Sequence, residues 1–130
     1  MRTIIAGSRE IPEGATVEAI EGCPWKDEIG VVLCGEARGP DRDGATWARA
    51  HGLLVESYPA HWNEEGKSAG FLRNQRMADG AEGLIAAWNG VSRGTADMIH
   101  KAINQGLRVH VVLIDGNGKV TKRLDYGVAA

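Results

Sequence analysis

Sulfur, aromatic rings and net charge are all scarce in this 130-residue chain: two cysteines, one phenylalanine, two tyrosines, four tryptophans and a formal charge of −2. Cys23 and Cys34 are too few and too far apart for a zinc site or a redox pair, and nothing points to an oxidising compartment. Cys34 ends an apolar run and reads as a small buried residue; Cys23 is expected to be partly exposed. No His/Cys/Asp cluster has metal-ligand spacing, so neither metal nor cofactor is expected. No Gly-x-Ser-x-Gly elbow is present, which argues against a serine hydrolase. The isoelectric point near 6.1 gives no overall field for a nucleic-acid backbone. No apolar run approaches transmembrane length, and the start, Met-Arg-Thr-Ile-Ile-Ala-Gly, is too quickly broken to be a signal peptide. A cytoplasmic protein that does not enter a membrane is expected.

What the chain has in quantity is glycine, 18 residues. Three glycine loops each carry an arginine and each follow an apolar run: Gly7-Ser8-Arg9, Gly35-Glu36-Ala37-Arg38-Gly39 and Gly90-Val91-Ser92-Arg93-Gly94-Thr95. In open α/β sheets ligands bind at the carboxyl ends of strands. Glycine lets backbone N–H groups approach an anion, and arginine adds planar, permanently charged donors suited to phosphate.

The remaining pattern alternates strands and helices. Buried strands are expected over 2–6, 30–34, 83–88 and 108–114, and an alternating one over 53–58. Helices are expected over 13–22, with Val17 and Ile20 one turn apart, and over 42–51, capped by Asp41 and closed by Gly52. Two more are expected over 66–80 and 95–105, the last with Met98, Ile99 and Ala102 inward. Asp115-Gly116-Asn117-Gly118 is a turn leading to an antiparallel edge strand over 119–125. This βαβα order, with no repeat or linker, predicts a single Rossmann-like domain: a three-layer α/β sandwich on a mainly parallel sheet of about five strands.

Five segments together resemble a known family. They are Ala6-Gly7-Ser8-Arg9; Cys34-Gly35-Glu36-Ala37-Arg38-Gly39-Pro40-Asp41, similar to Gly-Gly-Ala-Arg-Gly-Ala-Asp; and Pro59-Ala60-His61-Trp62, similar to Pro-Ala-Asp-Trp. The others are Gly66-Lys67-Ser68-Ala69-Gly70-Phe71-Leu72-Arg73-Asn74-Gln75-Arg76-Met77 and Arg93-Gly94-Thr95-Ala96. In this order the chain resembles the YspA/YpsA-related branch of the SLOG superfamily, Rossmann-like proteins related to the LOG and DprA proteins. The resemblance implies binding of a nucleotide or nucleotide-derived ligand. LOG-type relatives cleave the N-glycosidic bond of nucleoside monophosphates with an acid three residues after the Gly-Thr pair. Met98 holds that position here, and Asp97, one residue earlier, is rotated by about 100° on a helix. Glu36 and His61 also depart from the pattern. The resemblance further implies a homo-oligomer joined through helices carrying Ala45, Trp47 and Ala48, or Met98 and Ile99.

Gly94 and Thr95, opening a helix, form the leading anion site, with Gly7, Ser8 and Arg9 beside them. Gly35, Glu36, Arg38, Gly39 and Asp41 form the second loop, where Arg38 is read either as a ligand group or as half of an Arg–Asp pair. Arg73 and Arg76 share one helix face; Arg73, with Asn74 beside it, is preferred as the phosphate reader. Lys67 is either a further phosphate donor or a plain surface lysine. A base could stack on Trp62 or Trp88, although packing is the preferred role of Trp88. His61 is expected to face solvent, and Asp79, Glu82 and Asp125 to be solvated charge. The first expectation for function is binding or sensing of a nucleotide-type small molecule without catalysis. The alternative is a nucleotide N-glycosidase or phosphoribohydrolase, with Asp97 or Glu36 stabilising the sugar cation and Arg73 holding phosphate. A DprA-like DNA-processing partner is the third, against which the acidic isoelectric point counts.

Overall fold

The computed structural model describes residues 1–12, 14–35 and 40–127. Glu36, Arg38 and Gly39 therefore lie outside the described residues, as does the side chain of Asp41. The chain runs β1 (Arg2–Gly7), α1 (Ala15–Glu21), β2 (Val31–Cys34), α2 (Pro40–Ala50), β3 (Leu54–Ser57), α3 (Trp62–Glu65), α4 (Ala69–Asp79), β4 (Gly83–Trp88), α5 (Arg93–Asn104), β5 (Arg108–Ile114) and β6 (Val120–Tyr126). The six strands form one sheet in the order β3-β2-β1-β4-β5-β6. Every neighbouring pair is parallel except β5 and β6, which are antiparallel with His110 opposite Asp125. This is a Rossmann-like sandwich with an antiparallel edge strand.

The layers follow from strand geometry. Successive side chains point to opposite faces, so the continuous apolar strands supply two cores. Ile4, Leu33, Leu84 and Val109 face Met77 of α4 and Met98 of α5. Ile5, Val32 and Ile85 face Ile20 of α1 and Trp47 of α2. Ala45, Trp47, Ala48, Met98 and Ile99 are all buried within the single chain. The helix faces expected to join two copies are thus consumed by the sheet. Cys23 is likewise 3% exposed, against expectation, and burial raises its thiol pKa to about 11, so it stays protonated near neutrality.

Several boundaries differ from the sequence pattern. The helix expected over 66–80 begins as a 3₁₀ turn at Gly66–Ser68, with Gly66 at φ +62°, and becomes α4 only at Ala69; the short helix α3 before it was not expected. α2 begins at Pro40, so Asp41 lies inside its first turn rather than at the cap. α5 begins two residues early because Ser92 caps it. Asp125 is no merely solvated charge: its Oδ1 lies 2.8 Å from Nδ1 of buried His110, whose Nε2 accepts from Arg123 Nη1 at 3.0 Å.

α2 lies tight on β1 at Gly44, where an added Cβ would sit 2.6 Å from Ile5 Cγ2. Gly44→Ala is expected to destabilise the fold by about 1–3 kcal/mol through overpacking, although alanine gains up to about 1 kcal/mol of helix propensity. Urea denaturation checks this; an unchanged midpoint would mean that helix and strand separate at no cost.

Candidate ligand-binding site

The strand order reverses between β1 and β4: the chain proceeds outward through β2 and β3 on one side and through β5 on the other. Loops leaving the carboxyl ends of β1 and β4 diverge there and open a crevice. A cavity of about 540 Å³ occupies it, within the usual range for small-molecule sites. Gly7, Ser8, Arg9 and Glu10 form one wall, and Asn89, Ser92, Gly94 and Thr95 a second. Lys67, Gly70, Arg73 and Asn74 come from the α4 side, with Trp62 and Phe71 exposed on it. Met98 lines the interior and is 1% exposed.

The two strand-end loops are tied together through Ser8. Its N–H donates to the Ala87 carbonyl at 2.9 Å, and its Oγ accepts the Asn89 N–H at 3.1 Å. Ser8 is 1% exposed, yet its hydroxyl proton meets no acceptor among the described residues. Asn89 Oδ1 accepts from the N–H groups of Val91 and Ser92 at 3.0 and 2.9 Å, folding the loop around Gly90 at φ +86°. The Asn89 amide nitrogen has no acceptor among the described residues. Ser92 Oγ then caps α5, accepting from Thr95 N at 3.5 Å and Thr95 Oγ1 at 3.2 Å. That pair uses one of its two hydroxyl protons and leaves one over. The backbone N–H groups of Arg93 and Gly94 precede the intrahelical ladder. A Cβ at Gly94 would meet nothing within 4 Å, so this turn faces open space.

Arg9 and Lys67 are exposed and make no hydrogen bond or ion pair among the described residues. Arg73 is different. Its Nη1 donates to the Gly35 and Tyr58 carbonyls, the latter at 3.4 Å, and its Nε donates to Asn74 Oδ1 at 3.3 Å. Gly35 is therefore held behind the cavity wall and does not line it. Asn74 Nδ2 in turn donates to the Gly94 carbonyl and to Asp97 Oδ2, both at 3.1 Å, fastening α4 to the start of α5. Arg76 pairs with Glu65 at 3.3 Å and faces away from the cavity lining.

Asp97 is also outside the lining. It lies 2.6 Å from Lys101 Nζ, so its charge is matched within α5. The helical rotation expected between positions 97 and 98 leaves the thioether of Met98, not a carboxylate, facing the cavity. Trp62 packs over Gly70, where a Cβ would be 3.6 Å from the indole. Trp88 does not line the cavity: it packs on the α4–α5 core and donates from Nε1 to the Ser92 carbonyl at 3.1 Å. His61 is exposed. Among the described residues no group of three or more His, Cys, Asp or Glu side chains is placed to hold a metal.

Sequence reasoning missed Glu10 and Asn89 as site residues, and had Ser92 only as a member of the third glycine loop, without its capping role. The last two had a signal, an Asn-Gly turn followed by serine three residues before Thr95, the pattern of an Asx turn feeding a helix cap.

A Rossmann-like α/β protein with a donor-lined cavity at its strand-order reversal is the class these observations define. The chain is 36% identical over 116 residues to the gene 61 protein of Mycobacterium phage D29, covering 83% of this chain and 93% of the phage protein. It belongs to the family of that protein. No family model matches the chain, and no solved structure matches it. No helix among the described residues is long and apolar enough to cross a membrane.

Proposed function

We propose that this protein binds a nucleotide or nucleotide-derived small molecule, with a phosphate at the Ser8–Gly94 end of the cavity, and acts as a binding or sensing protein. The observation that carries this reading is the unspent hydroxyl proton of buried Ser8. A buried donor lacking an internal acceptor is costly unless water or a ligand supplies one, and a phosphate oxygen in the cavity would do so. The spare proton of the Ser92–Thr95 pair, the Asn89 amide and the first turn of α5 add donors on the adjoining wall. Arg9 and Lys67 supply charge not matched elsewhere among the described residues. Trp62 offers an exposed aromatic face for a base. The resemblance to the SLOG superfamily points the same way. Binding without bond cleavage is favoured by Met98 in the lining and by the matched charge of Asp97.

Calorimetry with AMP and adenosine tests the reading. Arg9→Ala and Lys67→Ala are each expected to weaken AMP binding about tenfold, the scale of one charge-assisted hydrogen bond, and to change adenosine binding less than about twofold. Absence of AMP binding at millimolar concentration would refute the nucleotide reading. Chromatography of the same mixtures should show no adenine; sustained release of base, lost in Asp97→Asn, would establish the N-glycosidase instead.

A further inference from the structure

Glu10 is the single carboxylate among the described residues lining the cavity. It is exposed, follows Arg9 directly, and forms no hydrogen bond or ion pair among the described residues. This placement opposes the chemistry around it. The neighbouring groups are donors and cations, whereas a carboxylate only accepts hydrogen bonds and repels an anion. Its place in the lining makes sense if the ligand carries donors next to its anionic group.

Resting on the nucleotide reading above, we infer that Glu10 accepts hydrogen bonds from the ribose hydroxyls and makes the site prefer ribonucleotides to deoxyribonucleotides. The position favours the sugar over the base. Ser8 and Glu10 are two residues apart, a span of at most about 7 Å between their Cα atoms. The sugar is bonded directly to the phosphate, so its hydroxyls fall within that span of a phosphate held at Ser8. The base lies farther along the ligand, where Trp62 and Phe71 present aromatic surface. Two carboxylate oxygens also match two vicinal hydroxyls; the paired N1–H and amino donors of guanine would match them as well, but they lie at the far end of the ligand from the phosphate.

The test is calorimetry of the wild type, Glu10→Gln and Glu10→Ala with AMP, 2′-deoxy-AMP and inorganic phosphate. The wild type is expected to bind AMP about tenfold or more tightly than 2′-deoxy-AMP, the scale of a hydrogen bond to a charged acceptor. Glu10→Ala should bring that ratio to within about twofold, and Glu10→Gln to an intermediate value. Both variants should hold inorganic phosphate as well as the wild type or better, because a repelling charge has gone; general loosening of the site would weaken phosphate too. AMP binding with the same ribose-to-deoxyribose ratio in all three proteins would overturn the inference and leave the nucleotide reading standing. If neither nucleotide binds the wild type, the nucleotide reading fails and this inference fails with it.

Discussion

Arg73→Ala is expected to lower the free energy of unfolding by about 2–4 kcal/mol, a large effect for a residue at a cavity wall. The guanidinium gathers the Gly35 carbonyl at the end of β2, the Tyr58 carbonyl just past β3 and the Asn74 side chain on α4. Charge-assisted hydrogen bonds contribute about 1.5–3 kcal/mol each and are not additive within one fork. Removing the side chain leaves two carbonyls short of a donor and frees Asn74, which itself links α4 to Gly94 and Asp97. Arg73→Lys should recover only part of the loss, since an ammonium lacks the planar fork that spans separated acceptors. Chemical denaturation of the three proteins checks this. A lysine variant as stable as the wild type would show that charge alone, and not the fork, is what the loop ends require. The selective loss of phosphate affinity should then fall on Arg9 and Lys67, whose charged groups have no internal partners among the described residues.

Gly94→Leu should do the reverse: leave the fold intact and abolish nucleotide binding. Gly94 lies in the first turn of α5 and an added Cβ meets no atom within 4 Å. Leucine is the better helix former by about 0.5–1 kcal/mol, so the melting temperature should hold or rise. Its side chain would project into the cavity against the donors of Ser8 and the α5 turn. Exclusion of the phosphate should cost at least about 3 kcal/mol, more than a hundredfold in Kd for AMP. Calorimetry beside a thermal melt separates the two effects. Normal AMP affinity in Gly94→Leu would place any nucleotide site elsewhere on the molecule.

These two residues also mark how far the sequence can be read. The strands, their burial and the antiparallel last strand follow from local pattern, because alternation of side chains and continuous apolar runs are properties of neighbouring residues. The loops carrying Gly7, Gly35 and Gly94 were legible as strand-end turns for the same reason. That Gly94 opens onto space while Gly44 lies against Ile5 is not a local property, since what an added Cβ would meet depends on packing that neither the loop nor the helix pattern contains. Arg73 and Arg9 are equally opaque one by one: each is an arginine near a glycine loop. The first is committed to carbonyls that arrive from residues 35 and 58, and the second has no partner among the described residues.

The sequence by itself determined the class of fold, the carboxyl-edge location of the glycine loops and the absence of a carboxylate at position 98. Each of these depends on residue type and short-range spacing. Only the tertiary structure decided which donors are spent and which remain. Hydrogen-bond saturation at Ser8, Asn74, Asn89 and Arg73 depends on partners up to 81 residues away, brought together by the crossover between β1 and β4. The same long-range packing set the Asn74 amide on Asp97, buried the helix faces expected to join two copies, and left Glu10 as an acceptor among donors.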